Sequence, residues 1–521
     1  MNNYLKKFLL INKKIIDPKD KEIKVVIADR SRFQDCLINA SFGSAFCIEH
    51  KANALIISDK KNEVYKNIYE SFGYTKFFEG LKVENFFSFI FLKTLLISII
   101  IFFIDLIKIY FKGYEWFIRN YKIESIPLGD LIYNSYVRYD HSYLKKYPDL
   151  KFTKILLSVI IKFKIFSHFF KLYKIKYVLA KGGPYASSNG ILFRFASCKN
   201  IKIIKLEVQS FNYRIGYSVI KKYFKFNFNK SYLLLRNKSF FWKEIEKITL
   251  PKLDKFIKKR NFGKIHSNFS NRNDLKKANL KKSFWTKKKI IQDIFKSKDY
   301  KKKLILIAPH AFSDAPHGEG TLVFKDYYTH FKETLDYIYE KKLINAFWLV
   351  KPHPSRKDYG ELGMIEKMMN SYESNYLKLC PKDLSAINST EICDNVITST
   401  GSISFEFGSE GKYAVVAAQA LYSNLGFTID HSSKKKYFKT LKNIHKIQKL
   451  SKNKVIKAKR ILYGVETLFE NKVLKKSEIF DKKVLNVKTN QDIFSKHFIK
   501  NIIKRSFLED SAIKDFASKK I

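Results

Sequence analysis

The chain has 521 residues, and Lys+Arg 99 against Asp+Glu 48 leave a formal charge of +51. Apolar residues make up 46% and aromatic residues 16%. That content excludes intrinsic disorder, which joins high net charge to few aromatic and branched side chains, and the length excludes one small domain.

The charge has two readings. A large basic excess suits an anionic partner: nucleic acid, an acidic membrane face or a phosphorylated substrate. A compositional habit of the genome explains it as well, because Ile, Asn, Phe and Tyr rise together with Lys while Gly (19) and Pro (10) are low. Selection for one basic patch would raise Lys and Arg locally and leave Ile and Phe alone. The charge therefore names no partner. The five cysteines, Cys36, Cys47, Cys198, Cys380 and Cys393, form no C-x-x-C pair. They read as reduced thiols, not as a secreted disulfide framework. The opening MNNYLKKFLLINKK has too short an apolar run for a signal peptide and no small-residue cleavage site, so it reads as mature protein.

Ile23–Ala28 (IKVVIA) is a continuous branched run, as a buried parallel strand should be. Helical spacing follows from Ser31 to His50, then a second strand at Ala54–Ser58. Phe86–Phe111 is long enough to span a bilayer, but Lys93 and Asp105 interrupt it. A buried or membrane-surface helix is the expectation there, and the flanking lysines favour an anionic cytoplasmic leaflet. Another strand–turn–helix–strand unit runs from Lys176–Ala180 through Lys181-Gly182-Gly183-Pro184 and Ser188–Ser197 to Ile201–Leu206. Such units build doubly wound parallel sheets.

An Asn-, Ser- and Lys-rich stretch between about 263 and 300 reads as a linker. A second α/β block then opens at Lys303 with KLILIA. It continues with a helix at Lys325–Lys341, strand Phe347–Lys351, a helix around Glu361–Met369 and a short strand near Tyr376–Leu379. Strands at Asp394–Thr398 and Lys412–Ala418 complete it. From Ser432 onward the chain reads as helical and basic. The expected division is an N-terminal lobe over 1–262 with the apolar helix near 86–111, the linker over 263–300, a C-terminal lobe over 301–475 and a basic helical tail over 476–521.

In open α/β sheets ligands bind outside the carboxyl ends of the strands, and the informative residues fall there. The loop Ala308–Gly320 (APHAFSDAPHGEG) holds His310, Asp314, His317 and Glu319. Its spacing matches no zinc pattern, so no metal is expected. It reads either as a catalytic or substrate-positioning loop, with Asp314 and His317 as candidates, or as a turn in which those side chains cap the backbone. At the exit LVKPHPSR, Lys351 and His353 each precede a proline, which biases them to extended conformations. Lys351 and Arg356 suit phosphate oxygens, and His353 can donate a hydrogen bond or a proton. A capped strand end with solvated charges is the plainer alternative. The turn after Asp394–Thr398 carries Ser399, Thr400, Gly401, Ser402 and Ser404 and opens a helix. Glycine admits a close ligand there, and free amides at a helix start bind phosphates. Glu406 could hydrogen-bond ribose hydroxyls, while the serines could equally be N-caps. Tyr422, Gly426 and Thr428 follow the next strand and would sit beside the same cleft.

These residues resemble the C-terminal lobe of bacterial capsule polysaccharide biosynthesis transferases, a group that includes the Kdo transferases starting capsule linkers. The matching positions are His353-Pro354, Ser399-Thr400-Gly401 with Phe405 and Glu406, Gly411-Lys412, and Tyr422, Gly426 and Thr428. Asp314–His317 and LGDLIYNSYVR (Leu128–Arg138) are similar to surface-carbohydrate proteins too. The resemblance is specific over roughly Ile305–Asp430. It implies a GT-B architecture, α/β, with two Rossmann-like doubly wound lobes facing a cleft, plus extra helices. It also implies a nucleotide-activated sugar, CMP- or UDP-linked, on the C-terminal lobe, with no metal or other cofactor. On the acceptor side the match is poor: Asp29 and Arg30 sit at one strand exit, Lys181 and Gly182 at another, and the base stays open.

The expected function is a glycosyltransferase of capsule or surface polysaccharide synthesis. It would be cytoplasmic, peripheral at the inner face of the inner membrane, and would act on a lipid-linked or oligosaccharide acceptor. A polyol-phosphate transferase of teichoic type is one alternative, and a non-enzymatic sugar-binding or scaffold protein another. A nucleic-acid-binding protein is a third, but the basic residues are spread along the chain and no RNP-like or zinc-finger motif occurs, so no nucleic acid is expected.

Overall fold

The branched apolar runs become parallel strands in two separate sheets. The computed structural model describes residues 6–9, 22–29, 33–59, 62–79, 89–138, 140–208, 215–220, 239–261, 285–318, 322–372, 374–467, 472–485, 495–504 and 506–519. Arg30, Glu319 and the linker residues 263–284 lie outside the described residues.

The chain divides into two compact units. The first comprises Met1–Ser135, Tyr147–Tyr223 and Asn471–Ile521, and the second Tyr136–Lys146 and Phe224–Glu470. These are not the boundaries the sequence suggests. The helices Ser239–Glu246 and Leu250–Asn261 precede the linker yet join the second unit. Gly464, in the helix Lys452–Thr467, explains part of this: a Cβ there would stand 2.6 Å from Ile245 Cγ2, so the helices meet almost backbone to side chain. The basic tail returns to the first unit. Its helices bury Phe498, Ile499, Ile513 and Phe516 in the first core, because an amphipathic helix needs an apolar partner for its inner face.

In the first unit β1 (Ile23–Ala28), β2 (Asn53–Ser58) and β3 (Lys76–Glu79) pair in parallel. A two-residue hairpin, β4 (Lys122–Ile123) with β5 (Ile126–Pro127), stands apart. β6 (Tyr177–Leu179) pairs with the other side of β1, and β7 (Lys202–Val208) pairs with β6, both in parallel. β8 (Ile215–Ile220) adds antiparallel, and Lys472–Val473 closes the edge, giving the order β8-β7-β6-β1-β2-β3 inward from it. Val25 to Ala28 have no exposed surface, as strands covered on both faces require. The chain runs outward through β2 and β3 and then reverses to β6 and β7. The topological switch point therefore lies between β1 and β6.

The long apolar segment is a helix over Phe89–Asn120, longer than the sequence suggested, with a non-helical break at Gly113 (φ 75, ψ 172). It packs along the helix Leu150–Leu172, an element missed in the sequence reading.

In the second unit all strands are parallel: β9 (Lys303–Ile307), β10 (Ala346–Val350), β11 (Leu377–Leu379), β12 (Asn395–Thr398), β13 (Ala414–Val416) and β14 (Thr428–Asp430). The order β11-β10-β9-β12-β13-β14 puts the switch point between β9 and β12. Thr428 opens a strand rather than a loop.

Candidate functional site

The loops leaving β9, β10 and β12 meet at the switch point of the second unit, and register brings their side chains together. Leu349 pairs with Leu306 and Val350 with Ile307. The ladder continues one step, since Lys351 N–H donates to Ile307 O at 2.9 Å. Both strands then leave through a Pro–His pair, Pro309-His310 and Pro352-His353. Keeping the same register places His310 beside His353. Their rings stack at 4.9 Å with an angle of 20°, close to the spacing of about 4.8 Å between neighbouring strands. Tyr327, first residue of the helix Tyr327–Glu340, stacks on the other face of His310 at 4.5 Å. The Tyr327 hydroxyl is 2.9 Å from Thr400 Oγ1 in the turn after β12. Three consecutive exits are thus joined: His353, His310, Tyr327 and Thr400.

His353 caps the short helix Pro354–Tyr359, its Nδ1 accepting from Ser355 N–H at 3.2 Å. A ring nitrogen that accepts carries no proton, so neutral His353 keeps its proton on Nε2, where it can be donated.

The turn after β12 is tightly built. A Cβ at Gly401 would stand 2.7 Å from Thr398 Oγ1, so only glycine fits. Tyr422 is buried and supports the turn from below: Ser404 Oγ donates to its hydroxyl at 2.8 Å, and the hydroxyl donates to Gly401 O at 2.9 Å. Ser399 Oγ is fully buried and has no hydrogen-bond partner among the described residues, an arrangement that costs on the order of 1–3 kcal/mol and calls for a reason. The helix Ile403–Ser409 has seven residues. That is short for a macrodipole, so the turn offers local N–H and hydroxyl groups instead.

The loop after β9 is held rigid. Glu361 accepts from Phe312 N–H at 2.9 Å, Ser313 N–H at 2.7 Å and Ser313 Oγ at 2.8 Å. Burial pushes its carboxyl up, against those three bonds. Arg138, from the LGDLIYNSYVR stretch, bonds Asp314 at 2.6 Å and lies over the Tyr359 ring at 4.7 Å. Two motifs 176 residues apart are therefore one ion pair. Burial, then the Asp314 charge, pushes the Tyr359 hydroxyl up to about 12.

Other candidates stand apart from this cluster. His317 is buried, and its Nε2 faces Lys325 O at 2.8 Å, the backbone-capping alternative of the sequence reading. The Lys351 ammonium donates to Leu384 O. Arg356 bonds His353 O at 3.2 Å and Glu366 at 3.1 Å. Glu406 receives both terminal nitrogens of Arg260 at 3.1 Å, and Arg260 Nε bonds Glu466 at 2.5 Å. The carboxylate expected to meet a ribose is thus engaged in an almost fully buried triad. Thr428 Oγ1 donates to Asp430 at 2.8 Å. Ser402 makes no side-chain cap.

In the first unit Asp29 is buried within reach of the Tyr69 hydroxyl at 3.3 Å. Lys181 bonds the buried Asp35, and Gly182, at φ +75, donates its N–H to Asn189 Oδ1 at 2.9 Å.

The residues missed from the sequence are Tyr327, Arg138, Arg260 and Glu361, together with His310 as the partner of His353. The repeated Pro–His exit was a visible signal for the last, and the LGDLIYNSYVR stretch marked Arg138 without its role; nothing local marked Tyr327, Arg260 or Glu361. Among the described residues no group of three His, Cys, Asp or Glu side chains is placed to hold a metal ion.

No family model and no curated protein matches the chain. Solved structures do. The chain is similar to a beta Kdo 2,7 transferase, KpsC, of Thermosulfurimonas dismutans at 16% identity, covering 65% of this chain and 89% of that one with a TM-score of 0.31. It is similar to the UDP-GlcNAc 2-epimerase of Neisseria meningitidis bound to UDP-GlcNAc, at 13% identity over 84% and 97% with a TM-score of 0.27. The wall teichoic acid polymerase TagF matches at 10% identity over 89% and 90% with a TM-score of 0.22.

Proposed function

We propose that the protein is a glycosyltransferase of capsule or surface polysaccharide synthesis, using a nucleotide-activated sugar. The observation that carries this is the stacked His310–His353 pair beside the Ser399–Ser402 turn at the switch point between β9 and β12. That position is where open α/β sheets take nucleotides. The groups gathered there are hydrogen-bond donors rather than acids, which suits a phosphorylated ligand.

In this reading the bond between the sugar carbon and the donor phosphate breaks, and its electron pair leaves with the phosphate. His353 Nε2–H and the Thr400 hydroxyl stabilise that oxyanion. The acceptor hydroxyl forms the new bond to the sugar carbon and loses its proton to a base. Asp314, held by Arg138, stays the candidate base of the second unit, whereas His317 positions its loop. Asp29 and Lys181 keep their candidacy on the acceptor side. The acceptor is lipid-linked or an oligosaccharide, reached at the cytoplasmic face of the inner membrane.

A thermal-shift screen of CMP-, UDP-, GDP- and CDP-linked donors tests the reading. One nucleotide class should raise the unfolding midpoint by roughly 5–10 °C at a hundredfold excess over Kd. The shift should disappear in His353→Ala and in Gly401→Ala. No shift with any donor would sink the proposal, and donor identity would separate a sugar from a polyol-phosphate transferase.

A further inference from the structure

The helix Phe89–Asn120 has one face that none of the described residues of its own unit covers. Leu92, Leu96, Ile100, Phe103, Ile107 and Phe111 recur every three or four residues and share that face, with Ile100 61% and Phe111 81% exposed. The stripe runs for about 28 Å at 1.5 Å per residue. Apolar patches of this extent are rare on monomers unless they meet something.

Three features say what it meets. The charges on the exposed side of the stripe are cationic: Lys93 at its start, and Lys108 and Lys112 along its far edge, all exposed. The acid within the stretch, Asp105, is turned the other way. It accepts from the Tyr121 hydroxyl at 2.8 Å and lies within 3.8 Å of Lys108, and burial pushes its carboxyl up. Finally, Tyr110 stacks on Tyr147 at 5.2 Å beside the stripe, and both rings are exposed. Aromatic rings with a polar tip favour the boundary between headgroups and acyl chains.

We infer that this helix lies in the plane of an anionic phospholipid leaflet, with the apolar stripe among the acyl chains and Lys93, Lys108 and Lys112 among the headgroups. Although by length and composition the helix could cross a membrane, crossing would require its opposite face to leave the protein. That face holds buried Ser98 and Ile109 and packs along the helix Leu150–Leu172. A break at Gly113 ends the stripe and turns the chain back to buried Phe117 and Tyr121. The inference deepens the membrane-face placement proposed above and gives it a surface and a lipid class.

Sedimentation of the full chain with vesicles tests it. Binding should occur on mixed phosphatidylcholine–phosphatidylglycerol vesicles and weaken with salt. Ile100→Glu with Ile107→Glu should abolish it. Replacing Lys93, Lys108 and Lys112 by Gln, surface changes that leave the fold intact, should weaken it roughly a hundredfold, because each lysine near an anionic leaflet is worth about a factor of five. Binding untouched by both variants overturns the inference. So does a dimer in gel filtration that Ile100→Glu with Ile107→Glu dissolves, with no vesicle binding by the parent. In a Cys198→Ser background, Lys93→Cys and Lys112→Cys should both react with an impermeant maleimide added outside vesicles; reaction of one alone means a span and also overturns it. A nucleotide shift without vesicle binding sinks this inference alone. Vesicle binding without any nucleotide shift sinks the transferase reading alone.

Discussion

The two sheets carry the same topological device and fill it differently. In the first unit the helix that follows the switch point, Ser188–Cys198, begins against the chain's own carboxylate. Asp59 accepts from Ser188 N–H at 3.0 Å, from Ser188 Oγ at 2.8 Å and from Lys162 at 2.6 Å. Lys181, at the neighbouring exit, is paired with Asp35. In the second unit the turn after β12 is bonded by Tyr327 and Tyr422, and among the described residues no carboxylate accepts from it. A helix start that already holds an internal anion has little left for an external one. One switch point is consolidated by its own charges, while the other presents imidazole, hydroxyl and amide groups. This contrast is the reason for placing the donor phosphate on the second unit.

The contrast can be broken experimentally. The largest effect should come from His353→Ala, which should lower turnover about 10²–10⁴-fold while the lost cap of the helix Pro354–Tyr359 costs only about 1 kcal/mol of stability; a normal rate would remove the second switch point from the chemistry. Arg260→Met strands Glu406 and Glu466 in a dry site, and breaking such a buried ion pair costs about 3–5 kcal/mol. Urea unfolding of the second unit should show that loss, and Glu406→Gln should lose less.

Asp59→Ala tests the first unit. It should cost about 1–3 kcal/mol, because Ser188 loses its partner. Calorimetry with added phosphate sharpens the point: binding that appears only in this variant would show that Asp59 occupies an anion position.

The smallest effect at any pH near neutrality is a pH slope in the second unit. Burial, then the charge of His431, lowers His330 from 6.5 to about 3. Its ring bonds the Tyr437 hydroxyl at 2.9 Å. Between those two values the unfolded chain binds a proton that the native state does not. Stability is therefore full above about pH 6.5 and falls with falling pH, by about 1.4 kcal/mol per unit. Burial lowers His431 as well, which steepens the slope. His330→Gln should flatten the slope by one proton in urea unfolding measured across that window.

Legibility followed locality. Ile23–Ala28 was readable to the residue because a fully buried strand needs an unbroken apolar run. The three-residue β14 was not, because an edge strand borrows its definition from its single neighbour, and neither was β8, whose two antiparallel partners, β7 and Lys472–Val473, include one some 250 residues away. The site divided the same way. Pro309-His310 and Pro352-His353 are plain in the sequence, but only parallel register makes them one pair. Glu406 stood where an acid could meet a ribose, yet Arg260, 146 residues earlier, claims it.

By itself the sequence determined the parallel α/β character, the positions of the strand exits and the apolar helix, because each rests on periodicity within some twenty residues. Only the tertiary structure decided which charges remain available. It settled Lys181 on Asp35, Arg138 on Asp314 and Asp105 away from the exposed stripe. The reason is physical: a charge is satisfied by whatever the fold brings within hydrogen-bond reach, and that distance is not written in spacing along the chain.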